Sequence, residues 1–140
     1  MSNEVRLVRL FVSSVANGIQ DDTPNEVGGN ATSPFYLMIE AAAGTTAGNN
    51  KVGYTLVIRA CSTSGTNTTF APVVRHEQAG DPNSHWNLTT PGVSNGYVKS
   101  SVLTVDAASF EPDGLYEFVG MLRLGDNTAS WVRSNEFLII

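Results

Sequence analysis

His76, Glu77, Asp81 and His85 form the one cluster of metal-ligating residue types at close spacing in this chain. A hydrolytic zinc centre would take three of them and keep a further position open for water. Their intervals match no metal-binding motif, so solvated loop side chains are the preferred reading and no metal or other cofactor is expected. Asp21, Asp22, Asn25 and Glu26 offer oxygen ligands suited to calcium, but they lack the alternating donors, central glycine and closing glutamate of a calcium loop. The chain has no Gly-x-Ser-x-Gly turn, no glycine-rich phosphate loop ending in Lys-Ser or Lys-Thr, and no dinucleotide fingerprint. Cys61 is the single cysteine, and with nothing beside it to mark an activated nucleophile it reads as a small buried side chain. These features point away from an enzyme; a metal-dependent hydrolase ranks last among the readings.

Binding chemistry is better represented. Trp86 stands between His85 and Asn87, a grouping in which an exposed ring could stack on a pyranose while its neighbours read the hydroxyls. The preferred reading is that Trp86 folds back over one end of the core. Asn30, Asn67 and Asn87 each begin an Asn-x-Ser/Thr triplet, which the Asn and Thr richness of the loops explains without glycosylation. Thirteen acidic residues face eight basic ones, a net charge of −5, so a phosphate backbone would meet repulsion and nucleic acid is not an expected partner. No apolar run approaches the roughly 18 residues that span a bilayer, and Met1-Ser2-Asn3-Glu4 lacks the basic and apolar stretches of an export signal. No membrane partner is expected, and a cytoplasmic assembly or a virion is the favoured location.

These residues must be carried by strands. Thirteen glycines and six prolines, with frequent Asn, Thr and Ser, punctuate short runs of β-branched and aromatic residues. Over residues 5–15 the apolar parity changes between Leu7 and Val8, which a β-bulge would accommodate. Residues 35–43 and 54–61 follow as strands, read as antiparallel neighbours joined by a flexible connection over 44–50. Residues 70–75 form a short strand that Pro72 confines to an edge. Residues 76–96 form a long irregular stretch, read as either a functional loop or a strand excursion. Strands at 97–105, 115–124 and 131–140 complete the list, the last two forming a hairpin. One domain over residues 1–140 follows from the length.

Within Phe110-Glu111-Pro112-Asp113-Gly114-Leu115-Tyr116-Glu117-Phe118, a glycine precedes tyrosine by two positions and a large apolar residue follows it by two. This resembles the tyrosine corner of immunoglobulin-like and fibronectin type III-like sandwiches, whose tyrosine hydroxyl bonds back to the chain entering the penultimate strand. The resemblance implies an all-β fold: one immunoglobulin-like antiparallel β-sandwich of about seven strands, with Tyr116 buried. Phe118 stands where an antibody domain has its second cysteine, so no disulfide is implied. A resemblance of fold carries no function by itself.

Apolarity on both strand faces supplies the functional expectation. If Tyr116 and Phe118 face the core, then Leu115, Val119 and Met121 face outward, and the apolar run containing Phe137 and Ile139 has no polar alternation. Strands apolar on both faces need a covering layer. Leu115, Val119, Met121, Phe137 and Ile139 are therefore the expected association face. The expected function is a non-enzymatic structural or assembly protein, for example a virion structural or decoration protein, whose partner is itself or a larger protein assembly. The alternative is a small carbohydrate-binding module using His85, Trp86 and Asn87 in the 76–96 loop.

Overall fold

The computed structural model describes residues 5–26, 33–88, 96–125 and 128–140. Along the chain run β1 (Val5–Ser13), β2 (Phe35–Gly44), a short helix α1 (Thr45–Asn49), β3 (Gly53–Ser62), β4 (Val73–Gln78), β5 (Trp86–Leu88), β6 (Gly96–Val105), β7 (Leu115–Leu124), β8 (Ala129–Arg133) and β9 (Phe137–Leu138). They build two antiparallel sheets that pack face to face as an all-β sandwich. Sheet A has the order β1-β2-β6-β5; sheet B has the order β4-β3-β7-β8, with β9 also paired to β7. Among the described residues nine strands replace the seven expected from sequence: the 76–96 stretch contributes β5, and the C-terminal run divides in two.

The parity change in β1 is a bulge. Leu7 pairs with Ala41 and Arg9 with Glu40, which leaves Val8 as the extra residue, 48% exposed. The core set thereby passes from Val5 and Leu7 to Leu10 and Val12, all nearly inaccessible to solvent.

Three expectations about connections are corrected. β2 and β3 are not neighbours: β2 lies between β1 and β6 in sheet A, whereas β3 lies between β4 and β7 in sheet B. The 44–50 connection is α1 rather than a flexible link, and it crosses between sheets with Ala47 and Gly48 buried. A side chain at Gly48 would collide with the ring of Tyr97, so glycine permits the helix to sit against β6. Pro72 precedes β4 instead of lying inside it, and β4 is an edge strand.

The C-terminal correction has larger consequences. β8 pairs Val119 with Arg133, yet β9 pairs Tyr116 with Phe137, so the intervening residues contain one more residue than β7 does. Ser134 occupies the break: its N–H donates to the Phe118 carbonyl at 2.8 Å and its Oγ accepts the Phe118 N–H at 2.8 Å. One extra residue reverses side-chain parity. Trp131 and Arg133 consequently face outward, while Phe137 and Ile139 turn inward and are fully buried. Phe137 stacks on Phe118 with ring centroids 5.4 Å apart and meets Phe35 at 5.5 Å. Those two members of the expected association face belong to the core.

The tyrosine corner is present. Tyr116 is fully buried, and its hydroxyl lies 2.8 Å from the Glu111 carbonyl and 3.1 Å from that of Asn67. Gly114 is required there because any side chain would strike the Tyr116 hydroxyl.

Candidate functional site

The outer face of sheet B carries one continuous apolar row across four strands. Val74 of β4 pairs with Val57 of β3, Val57 with Met121 of β7, and Met121 with Trp131 of β8. Inward positions of these strands alternate with them: Leu56, Ile58 and Leu122 are buried. Val57 and Met121 are half-buried in the middle of the row, whereas Val74 is 54% and Trp131 66% exposed at its ends. On one side the row is bounded by Arg123, paired with Thr55; on the other, Arg59 and Arg133 flank Val119. Glu117, the one carboxylate at the outward positions of β3, β4, β7 and β8, accepts from Arg133 at 2.8 Å. Leu115 and Leu138, both half-buried, pair farther along the same face.

Of the association residues expected from sequence, Leu115, Val119 and Met121 lie on this face. Trp131, Val57 and Val74 join them and were not anticipated. Trp131 shares strand parity with Phe137, so continuous alternation puts both outward; the Ser134 break leaves Trp131 there and turns Phe137 into the core. Val57 and Val74 become visible only once β3 is known to pair with both β4 and β7.

The 76–96 loop has a different character from the one expected. Asp81 Oδ1 accepts the Asn83 N–H at 3.0 Å and starts a single 3-10 turn, Pro82–Ser84. His85 closes that turn in the left-handed region, φ 63°, and β5 begins at Trp86. The Trp86 ring is 3% exposed and leaves no free face for a sugar, which removes the stacking platform; His85 and Asn87 beside it are exposed. His76 points outward from β4 while Glu77 points inward, so strand alternation separates two of the four candidate metal ligands. Among the described residues no three His, Cys, Asp or Glu side chains converge.

Between the sheets Trp86 belongs to a polar network. Its Nε1 donates to Tyr54 Oη at 3.1 Å, and Tyr54 Oη in turn donates to Glu77 Oε1 at 3.1 Å. Lys99 Nζ donates to Glu77 Oε2 at 2.5 Å and lies 3.4 Å from Tyr54 Oη. The Lys99 side chain is 1% exposed and that of Glu77 12%. Burial pulls the Lys99 ammonium below its ordinary range, with the Glu77 hydrogen bond opposing the shift. Burial also pushes the Tyr54 hydroxyl far above its ordinary range; the nearby Glu77 charge adds to the rise and the Trp86 hydrogen bond opposes it. Lys99 is thus an enclosed, paired charge. Its neutralising partner matters because an isolated ammonium in such a place costs several kcal/mol, roughly, in desolvation. Two open clefts, of about 720 Å3 and 580 Å3, flank the network, and Glu77 borders both.

The remaining candidates have structural assignments. Asp21 Oδ1 accepts the Thr23 N–H, Asp22 Oδ1 accepts from Asn135, Asn25 Oδ1 accepts the Ile140 N–H, and Glu26 accepts from Thr23 Oγ1. This acidic stretch ties its loop to the C-terminal strand. Cys61 is exposed, which corrects the expectation of burial: it sits on the outer face of sheet B, paired in register with Glu117. Asn67 and Asn87 are exposed, and Asn30 lies outside the described residues. No family model matches the chain, and no curated protein or solved structure is significantly similar to it.

Proposed function

We propose that this protein is a non-enzymatic assembly domain of immunoglobulin-like architecture that docks through the outer face of sheet B onto further copies of itself. The observation that carries the proposal is the Val74–Val57–Met121–Trp131 row, which ends in a tryptophan 66% exposed on the outer sheet face. Tryptophan and arginine are the side chains most enriched at binding hot spots, and this face joins Trp131 to Arg59, Arg123 and Arg133. The Tyr116 corner supports the immunoglobulin-like reading of the sandwich.

Charge selects the mode of contact. The outward positions of β3, β4, β7 and β8 hold three of the eight basic residues of the chain but only Glu117 of its thirteen acidic ones. Two such faces brought together would oppose arginine rims, whereas the remaining surface of another copy is strongly acidic. The favoured contact is therefore heterologous, face to non-face, a geometry that propagates into rings or filaments. Attachment to a larger particle uses the same face if the particle presents an acidic rim.

Light scattering coupled to size exclusion tests this over a range of protein and salt concentrations. The parent mass should rise with protein concentration and fall with added salt as the rim is screened. The Met121→Ser/Trp131→Ser variant should remain a folded monomer. A parent that is monomeric at high micromolar concentration, or a double variant that assembles as the parent does, overturns the proposal.

A further inference from the structure

A second binding site lies at the opposite lateral edge of the sandwich from β1 and β8. There β5 covers β6 only as far as the Trp86–Lys99 pair. His85, in the left-handed region, turns the chain away just before β5, so residues 100–105 pair with β2 on one side and with no strand of the described residues on the other. Every second residue of such an edge directs its N–H and C=O outward, ready for another strand. β4, the edge strand of sheet B, faces it across a cleft of about 580 Å3 bordered by Arg75, Glu77, Asn83, His85 and Ser101.

Two groups in this cleft are unsatisfied. Arg75, half-buried, makes no hydrogen bond or ion pair with the described residues, and Glu77, two positions along the same side of β4, is engaged by Lys99 and Tyr54. Ser101 is 8% exposed, and its hydroxyl, closed from solvent, has no hydrogen-bond partner among the described residues. Buried hydroxyls are ordinarily partnered. Arg75 and Lys99 against Glu77 leave a net positive charge at the cleft. The geometry points to a site for an extended acidic peptide, which would add a strand to the free edge of β6 and place a carboxylate against Arg75, toward which the Ser101 side chain would turn its unpartnered hydroxyl. The main chain would supply hydrogen bonds common to any sequence, and the carboxylate would supply selectivity. This site is independent of the sheet B face.

The test is a nuclear magnetic resonance titration of the 15N-labelled protein with a terminally blocked five-residue peptide, Thr-Val-Asp-Val-Thr, and with its Asn counterpart. The Asp peptide should shift the amides of Ser100, Ser101 and Val102 and bind about tenfold more tightly than the Asn peptide. Arg75→Gln should abolish that preference. Ser101→Ala should weaken binding about threefold while leaving the melting temperature equal or higher, since the hydroxyl it removes has no partner. The proposal is overturned if no shifts develop by about 10 mM peptide, if the two peptides bind equally, if Arg75→Gln keeps the preference, or if acetate alone binds as well as the Asp peptide.

Discussion

The two outer faces of the sandwich are built on the same plan and finished differently. Each carries an apolar row that crosses its strands in register. On sheet A the row is Phe11, Met38 and Val102; on sheet B it is Val74, Val57, Met121 and Trp131. Sheet A hides most of its row: Phe11 is 5% and Met38 4% exposed, with Val102 half-buried at the end. The Arg9 guanidinium lies over the Phe11 ring at 4.3 Å and is held there by Glu40 at 2.9 Å. Asn17, from the segment after β1, borders the same cleft as Ser100 and Val102, two strands away from β1. Sheet B leaves its row uncovered. Among the described residues the chain covers one apolar face from within and supplies no such cover for the other, and this difference is what supports the proposal that sheet B meets a partner.

Substitutions can break that contrast. The interior sets the top of the scale: Glu77→Ala leaves Lys99 buried without its partner and should cost about 3–5 kcal/mol in urea melts, with part of the loss recovered by adding Lys99→Met. Phe11→Ala, on the covered face, should cost about 3 kcal/mol, as for a core phenylalanine. Arg9→Ala removes the lid over Phe11 and an exposed ion pair, for a loss of about 1 kcal/mol by thermal or urea melting. Trp131→Ser should change monomer stability by no more than about 0.5 kcal/mol yet lower the assembled mass. If Phe11→Ala proves as harmless as Trp131→Ser, the two faces are alike and the contrast fails.

The interior pair also predicts a pH profile that face substitutions should leave unchanged. Lys99 titrates below its ordinary 10.5 when folded, so between its folded value and 10.5 the unfolded chain binds more protons and stability rises with pH. Tyr54 titrates above its ordinary 10.0 when folded. Above pH 10 the folded chain retains a proton that the unfolded chain releases, and stability falls. Urea melts across alkaline pH should show the rise flattened in Lys99→Met, the fall flattened in Tyr54→Phe, and neither altered in Trp131→Ser.

Much of the architecture was legible from local patterns. The β1 bulge followed from a parity change between adjacent residues, and the Tyr116 corner from a glycine two positions earlier. What escaped depended on partners distant in sequence. Ser134 substitutes its hydroxyl for a ladder acceptor and reverses parity beyond it, so Phe137 and Ile139 read as surface when they are core. That Trp86 folds back over the core is the preferred reading of its sequence context, but nothing in its own neighbourhood announces that Tyr54 and Lys99, 32 and 13 positions away, make a polar interior around it. Sheet membership was equally hidden: the alternation of 35–43 and 54–61 identifies two strands without saying that α1 carries the chain from one sheet to the other.

The most direct test of the sheet B face is quenching of tryptophan fluorescence by acrylamide, a neutral quencher that leaves the arginine rim unscreened, as a function of protein concentration. The chain has two tryptophans, Trp86 enclosed and Trp131 exposed. In dilute solution one quenchable and one protected population are expected, the quenchable one disappearing in Trp131→Phe. As the parent assembles, Trp131 should become protected, and the Met121→Ser variant should retain a quenchable tryptophan at every concentration. A Trp131 equally accessible in dilute and assembled protein would contradict the account, because the contact would then lie elsewhere on the molecule.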